Sequence, residues 1–207
     1  MAQFREFSYS SSDERTRETF SDSFLLNLFE QYKQDPLQFN DISFALSKIR
    51  AQLSILRKAF EQMPNLPRTV MDLGCGNTGI RFEQQIGPDY HPWLSRMLHS
   101  IKGVDKFREY EVERIVGIDI GPLHEQFECY SLDAFKPGTL DRVPGKFGFI
   151  IAGAFFNSPR LSYARWGDLR NDSGTHELTA QLQREIEPFL DRKLLVGADG
   201  LVLYNEH

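Results

Sequence analysis

The chain is poor in cysteine and has no long apolar run. Only Cys75 and Cys129 occur among its 207 residues, and their spacing matches neither a metal site nor a disulfide framework. Nowhere do about 18 apolar residues follow one another, and the N-terminus carries Arg5, Asp13 and Glu14 without an apolar segment. We therefore expect no membrane span, no signal peptide, no metal site and a location in the reducing cytoplasm.

An excess of positive charge is also missing. The sequence has 24 Lys and Arg residues against 29 Asp and Glu residues, which gives a formal net charge of -5. Such a chain has no general attraction for phosphate backbones, so a small-molecule or protein substrate is favoured over nucleic acid. The length and the 41% hydrophobic content fit one folded core.

The N-terminal third predicts helices. Residues 1–20 show no clear period and are interpreted as a mobile arm or lid, or simply as a frayed terminus. A helix then begins at Ser21 or Asp22 and ends before Pro36. Two helices alone bury little surface. We therefore predict that residues 1–66 form an arm and helices that pack on a core of residues 67–207.

The second of these helices begins at Asn40 or Asp41. Apolar residues recur along it at steps of three and four as far as Met63, which predicts one apolar stripe over about six turns. The opposite face carries Lys48 and Arg57 and is interpreted as a solvated surface.

The remainder of the chain alternates between strands and helices. This alternation predicts a parallel sheet covered on both faces, in an α/β, Rossmann-like three-layer sandwich. The predicted strands cover residues 69–73, 114–119, 127–132, 147–152 and 200–204, and a helix after Thr175 precedes the last of them.

A glycine-rich turn follows the first of these strands. The run Asp72-Leu73-Gly74-Cys75-Gly76-Asn77-Thr78-Gly79 lets the backbone approach a ligand closely and lets the following helix direct amides at it. The G-x-G-x-x-G spacing is shared with dinucleotide-binding folds. The preceding acid, however, repels pyrophosphate and suits a cationic amino-acid group. The run resembles motif I of the class I S-adenosylmethionine-dependent methyltransferases.

The resemblance extends over residues 68–207. Val116-Gly117-Ile118-Asp119 resembles motif II, whose acid accepts hydrogen bonds from both ribose hydroxyls. Ser131-Leu132-Asp133-Ala134-Phe135 is similar to the adenine site, and residues 201–207 resemble the fifth strand. The resemblance implies S-adenosylmethionine as the cofactor. The implied cofactor-binding residues are Asp72, Gly74, Cys75, Gly76, Asp119, Ile120, Asp133 and Ala134.

Several features depart from the family pattern. A helical insert at about residues 88–112 separates the glycine turn from Asp119, and it could cover the cofactor, select the substrate or be a plain surface helix. Gly148 stands where family members often have aspartate. The usual sixth and seventh strands have no sequence to form them. The chain would then be a fragment, a minimal variant, or one whose sheet edge is completed by a partner chain or a homo-oligomer.

The chemistry is less determined than the cofactor. Methyl transfer depends mainly on holding the nucleophile in line, so no dedicated catalytic residue is required. The candidates for a base are Asn157, Tyr163, His176, Glu206 and His207, each of which could equally be a surface or capping residue. The sequence leaves three hypotheses open. They are a methyltransferase acting on an unidentified small molecule or protein, a non-catalytic binding or scaffold protein of the same fold, and an NAD-dependent oxidoreductase.

Overall fold

A computed structural model describes residues 2–8, 12–31, 39–76, 92–120, 127–153, 155–156, 175–195 and 201–204. For residues 31, 39–42, 44 and 175–179 it describes the backbone only. No helix in this part of the chain is both long enough and apolar enough to cross a bilayer.

The fold is an α/β sandwich around one six-stranded, all-parallel sheet, which confirms the predicted fold class. The strand order is β1-β6-β5-β2-β3-β4. The strands are β1 (Gln3–Glu6), β2 (Thr69–Leu73), β3 (Arg114–Asp119), β4 (Cys129–Ser131), β5 (Phe149–Ala152) and β6 (Leu201–Tyr204).

The described helices comprise five α-helices and two 3-10 segments. The α-helices are α1 (Glu14–Thr19), α2 (Asp22–Gln31), α3 (Phe39–Gln62), α4 (Trp93–Ser100) and α5 (Thr175–Lys193), and the 3-10 segments are Asp105–Tyr110 and Leu140–Arg142.

Alternating strand residues feed two cores on opposite faces of the sheet. On β5, Phe149 belongs to one apolar cluster and Ile150 to the other, as the two-residue period of a strand requires. On the first face, the ring of Phe60 in α3 lies 5.0 Å from that of Phe149, edge to face. On the second face, Leu182 and Ile186 of α5 are fully buried. Because both faces of these strands are covered, their sequences are continuous apolar runs.

The N-terminal arm is the clearest difference from the sequence-based expectation. The interpretation of residues 1–20 as a mobile arm, lid or frayed terminus is wrong for the described residues, because β1 pairs in parallel with β6, with Gln3 opposite Leu201. The ring of Phe4 packs at 6.3 Å from that of Phe156. A short strand at a sheet edge, paired with residues about 200 positions away, leaves no local periodicity to detect. The edge of β6 is thus paired within the chain.

The helix α1 is also part of the packed structure. Asp13 caps its first turn by accepting a hydrogen bond from the Thr16 amide at 2.8 Å. The same carboxylate pairs with Arg57 of α3 at 2.7 Å, and Arg57 is buried. The interpretation of the charged face of α3 as solvated is therefore wrong for Arg57, which ties α1 to α3.

The predicted helical insert contains α4, which is not a surface decoration. Trp93, Leu94, Met97 and Leu98 are all buried, and the Trp93 ring lies 4.2 Å from that of Phe29. The insert therefore contributes to the core between α2, α3 and the sheet.

Gly148, at the entrance to β5, has a packing explanation. A Cβ atom on Gly148 would lie 2.4 Å from the carbonyl oxygen of Pro67, which is closer than non-bonded atoms approach. Because that neighbour is backbone, it cannot rotate away, so no side chain of any kind fits here.

Candidate functional site

The three acids singled out in the sequence lie at one edge of the sheet. Asp72 belongs to β2, Asp119 ends β3, and Asp133 follows β4 by two residues. These strands are parallel and adjacent in the order β2-β3-β4, so their carboxyl ends meet at the same side. In open parallel sheets, ligands bind at this side, next to the point where the strand order reverses. Here that point lies between β2 and β5.

The glycine turn closes tightly over the end of β3. Gly74 and Gly76 have φ angles of +66° and +98°, a left-handed conformation that disfavours side chains. The amides of Gly74 and Cys75 both donate to the carbonyl of Ile118, at 2.8 and 3.2 Å. These two hydrogen bonds hold the turn against β3 without the help of a ligand.

Cys75 directs its side chain toward the sheet. A Cβ on Gly117 would lie 2.9 Å from the sulfur of Cys75, and Cys75 is 7% exposed. Gly117 therefore provides the space for this thiol. The contribution that Cys75 can make to a ligand is its backbone.

Asp119 joins the glycine turn to β3. Its Oδ2 accepts a hydrogen bond from the Gly76 amide at 2.9 Å, and its Oδ1 accepts one from the Ile120 amide at 2.8 Å. An ionised carboxylate offers about four lone-pair sites. A carboxylate of this kind is the group that would accept hydrogen bonds from the ribose hydroxyls that the resemblance implies.

The predicted adenine site lies at the end of β4. Asp133 is exposed, and its Oδ1 accepts a hydrogen bond from the Phe135 amide at 3.0 Å. Ala134 is buried, whereas Ile120 is 54% exposed. An exposed acid next to apolar side chains matches the needs of a base with an exocyclic amine and a flat face.

Phe155, which follows β5, is a feature that the sequence did not reveal. A Cβ on Gly74 would lie 2.8 Å from Cδ2 of Phe155, so the ring lies directly against the glycine turn. It also stacks on Phe135, with the ring centroids 5.5 Å apart and the planes 8° apart. Both rings are half-buried. Together they form an apolar wall between the ends of β5 and β4.

Asp72 lies on the side of the glycine turn opposite to Phe155. It is buried, with 2% of its surface exposed. It lines a small cavity with Lys48 and Gln52 of α3 and Trp93 of α4. The free volume is about 10 Å³, which is room for one water-sized group. Within the described part of the chain, no donor hydrogen-bonds to the Asp72 carboxylate.

Burial also changes the acidity of Asp72. Loss of solvation, with a smaller contribution from the negative charge of Asp119, raises the pKa of its carboxyl from 3.8 to about 7, against the opposing charge of Lys48. A buried carboxylate without a hydrogen bond is costly. The arrangement therefore favours a cation that would approach this carboxylate.

Lys48 and Gln52 are the cavity residues that the sequence interpretation missed. Lys48 is half-buried and faces the Asp72 cavity, so its interpretation as part of a solvated face is wrong. One signal was present: Gln52 lies three residues after Ile49 on the apolar stripe of α3, where an amide has no packing advantage. The link to Asp72, by contrast, is visible only in three dimensions.

The comparisons with known proteins add no family to this geometry. No family model matches the chain, and no curated protein matches it at a significant level. The site therefore has to be interpreted from its own residues.

Other predicted groups are not described. Asn157, Tyr163, Glu206 and His207 lie outside the described residues, as does the side chain of His176. Among the described residues, no group of three or more His, Cys, Asp or Glu side chains is arranged to hold a metal ion.

Proposed function

We propose that the protein is an S-adenosylmethionine-dependent methyltransferase acting on a small molecule or protein. The observation that carries this proposal is the buried Asp72 carboxylate beside the glycine turn, to which no donor among the described residues hydrogen-bonds. The ammonium group of the cofactor's amino-acid end would supply the missing partner.

Other residues along the sheet edge fit the rest of the cofactor. Asp119 accepts a hydrogen bond from the Gly76 amide of the turn, and its carboxylate would accept from the ribose hydroxyls. Asp133 would accept from the adenine amine, and the exposed side chain of Ile120 would cover the ring. When bound, the cofactor supplies an activated methyl group. The role of these residues is to hold and orient it, which is the main requirement of an in-line substitution.

The NAD-dependent alternative is less well supported by the site. A dinucleotide places its pyrophosphate on the glycine turn. Here Asp72, close to Gly74 in the same cavity wall, would add a negative charge next to the phosphates. The same charge attracts the cationic end of S-adenosylmethionine.

Two observations weaken the reasons that favoured the scaffold alternative. The edge of β6 is paired with β1 of the same chain. Gly148 is explained by the Pro67 carbonyl, which leaves no room for a side chain. The contact of Phe155 with Gly74 is the observation that still favours it, because this ring narrows the crevice between β2 and β5.

Calorimetric titration separates the three hypotheses. We expect binding of S-adenosylmethionine and S-adenosylhomocysteine with micromolar dissociation constants, and no binding of NAD. Transfer of radiolabelled methyl groups to fractionated cell extract then tests catalysis and shows whether the acceptor is small or macromolecular. Binding without transfer to any fraction would favour the scaffold, and binding of NAD alone would contradict the proposal.

A further inference from the structure

Gln52 of α3 is held across the end of β5. A Cβ atom on Gly153, the residue that follows β5, would lie 2.4 Å from Nε2 of Gln52 and 3.4 Å from its Cδ. The carboxamide thus occupies the volume that a side chain at position 153 would fill. Gly153 and Gln52 form a matched pair: the missing side chain of one makes room for the other.

Among the described residues, no hydrogen-bond partner explains the position of Gln52. The residue is 4% exposed, and a leucine or methionine would fill the same space without placing an amide there.

The same cavity collects three polar groups of different kinds. Asp72 accepts hydrogen bonds, Lys48 donates them, and the carboxamide of Gln52 does both. A carboxylate and an ammonium group in the lining of one cavity match the two charges of a zwitterion. The amide of Gln52 can hydrogen-bond either charge.

We propose that Gln52 is a specificity-determining residue that hydrogen-bonds the zwitterionic amino-acid end of the bound ligand, and that Gly153 is glycine to let it do so. The inference rests on the proposed function. It assigns part of the ligand site to α3, which precedes the part of the chain that resembles the methyltransferases. The cavity has room for one water-sized group such as an ammonium, and the carboxylate and the remainder of the ligand would extend past Gly74 and Cys75.

Two ligands separate this role from a general effect on the site. S-adenosylhomocysteine carries the amino-acid end, whereas 5'-methylthioadenosine has the same nucleoside and thioether without it. We expect Gln52→Ala to weaken binding of S-adenosylhomocysteine about 10-fold or more. Binding of 5'-methylthioadenosine should change less than about twofold. Ser47→Ala, at an exposed position of the same helix, serves as the matched control and should change neither affinity.

Gly153→Ala gives an independent test, since its methyl group would displace the carboxamide. Alone, it should weaken S-adenosylhomocysteine binding in the same way. In a Gln52→Ala background it should add little, because coupled residues are not additive. Unchanged affinity of Gln52→Ala for S-adenosylhomocysteine, or an equal loss for both ligands, would overturn the inference and leave the proposed function intact. If the wild-type protein binds neither ligand, the result contradicts the proposed function and, with it, the role of Gln52 that rests on it.

Discussion

Asp72→Asn is expected to make the ligand-free protein more stable and to abolish tight binding of S-adenosylhomocysteine. The two effects have one cause. The Asp72 carboxylate is buried, and no donor in the described ranges hydrogen-bonds to it, so its charge is unfavourable until a ligand cation pairs with it. Asparagine keeps the shape of the side chain but carries no charge. Residues that serve a ligand often reduce the stability of the fold in this way.

The stability effect has a defined pH dependence. Because burial raises the pKa of Asp72 from 3.8 to about 7, the folded state binds the proton more tightly than the unfolded state. The tighter binding of this proton stabilises the folded state. The stabilisation is fully present below pH 3.8 and is lost as the pH rises through about 7. The free energies of unfolding of wild type and Asp72→Asn should therefore be similar at pH 4. At pH 8 the variant should be more stable by roughly 2–4 kcal/mol.

Urea unfolding between pH 4 and pH 8 measures this difference. Asp105→Asn removes the same charge from an exposed position and should show no comparable gain. Asp72→Asn should weaken the affinity for S-adenosylhomocysteine by about 100-fold, because the substitution breaks the proposed buried ion pair. The affinity for 5'-methylthioadenosine should be retained. An Asp72→Asn protein that is less stable than wild type at pH 8, or one that binds S-adenosylhomocysteine normally, would contradict our assignment of Asp72.

Asp119→Ala is expected to remove binding of both ligands. In the structure, Asp119 fixes the glycine turn through the Gly76 amide, and in the proposed site its carboxylate would also accept hydrogen bonds from the ribose hydroxyls. The substitution removes both functions, so affinity for S-adenosylhomocysteine and for 5'-methylthioadenosine should fall together, by about 100-fold. The free energy of unfolding should fall by about 1–3 kcal/mol, because the amides of Gly76 and Ile120 lose their acceptor.

Asp105→Ala is the control for Asp119. Asp105 is an exposed acid in the 3-10 segment Asp105–Tyr110, so its loss should leave both affinities close to those of wild type. The contrast between the two acids is the informative result: Asp72 should affect only the ligand with an amino-acid end, and Asp119 should affect both. If Asp119→Ala weakened S-adenosylhomocysteine alone, the division of the site between sugar and amino acid would be wrong.

The central strands could be predicted from sequence because their signals are local. β2 and β3 have the predicted bounds, residues 69–73 and 114–119, since each is an apolar run that ends at an acid and a turn. In contrast, β1 and its pairing with β6 depend on contacts between the two ends of the chain. No local pattern reports such a contact.

The candidate site, like the fold, could be predicted from the sequence only in part. The glycine turn and the acids could be identified from their order and from where their strands end. Three features follow instead from how α3, α4 and β5 pack around the turn: the burial of Asp72, the position of Gln52 in the same cavity and the contact of Phe155 with Gly74. Neither the period of α3 nor the composition of the segment after β5 contains this information.

A crystal structure of the protein with S-adenosylhomocysteine would test the proposed site most directly. We predict the ligand's ammonium group within hydrogen-bonding distance of Asp72, its ribose hydroxyls on Asp119 and its adenine beside Ile120 and Asp133. A ligand bound elsewhere on the protein, or one whose amino-acid end points away from Asp72 while Phe155 fills the crevice beside Gly74, would contradict the proposed function.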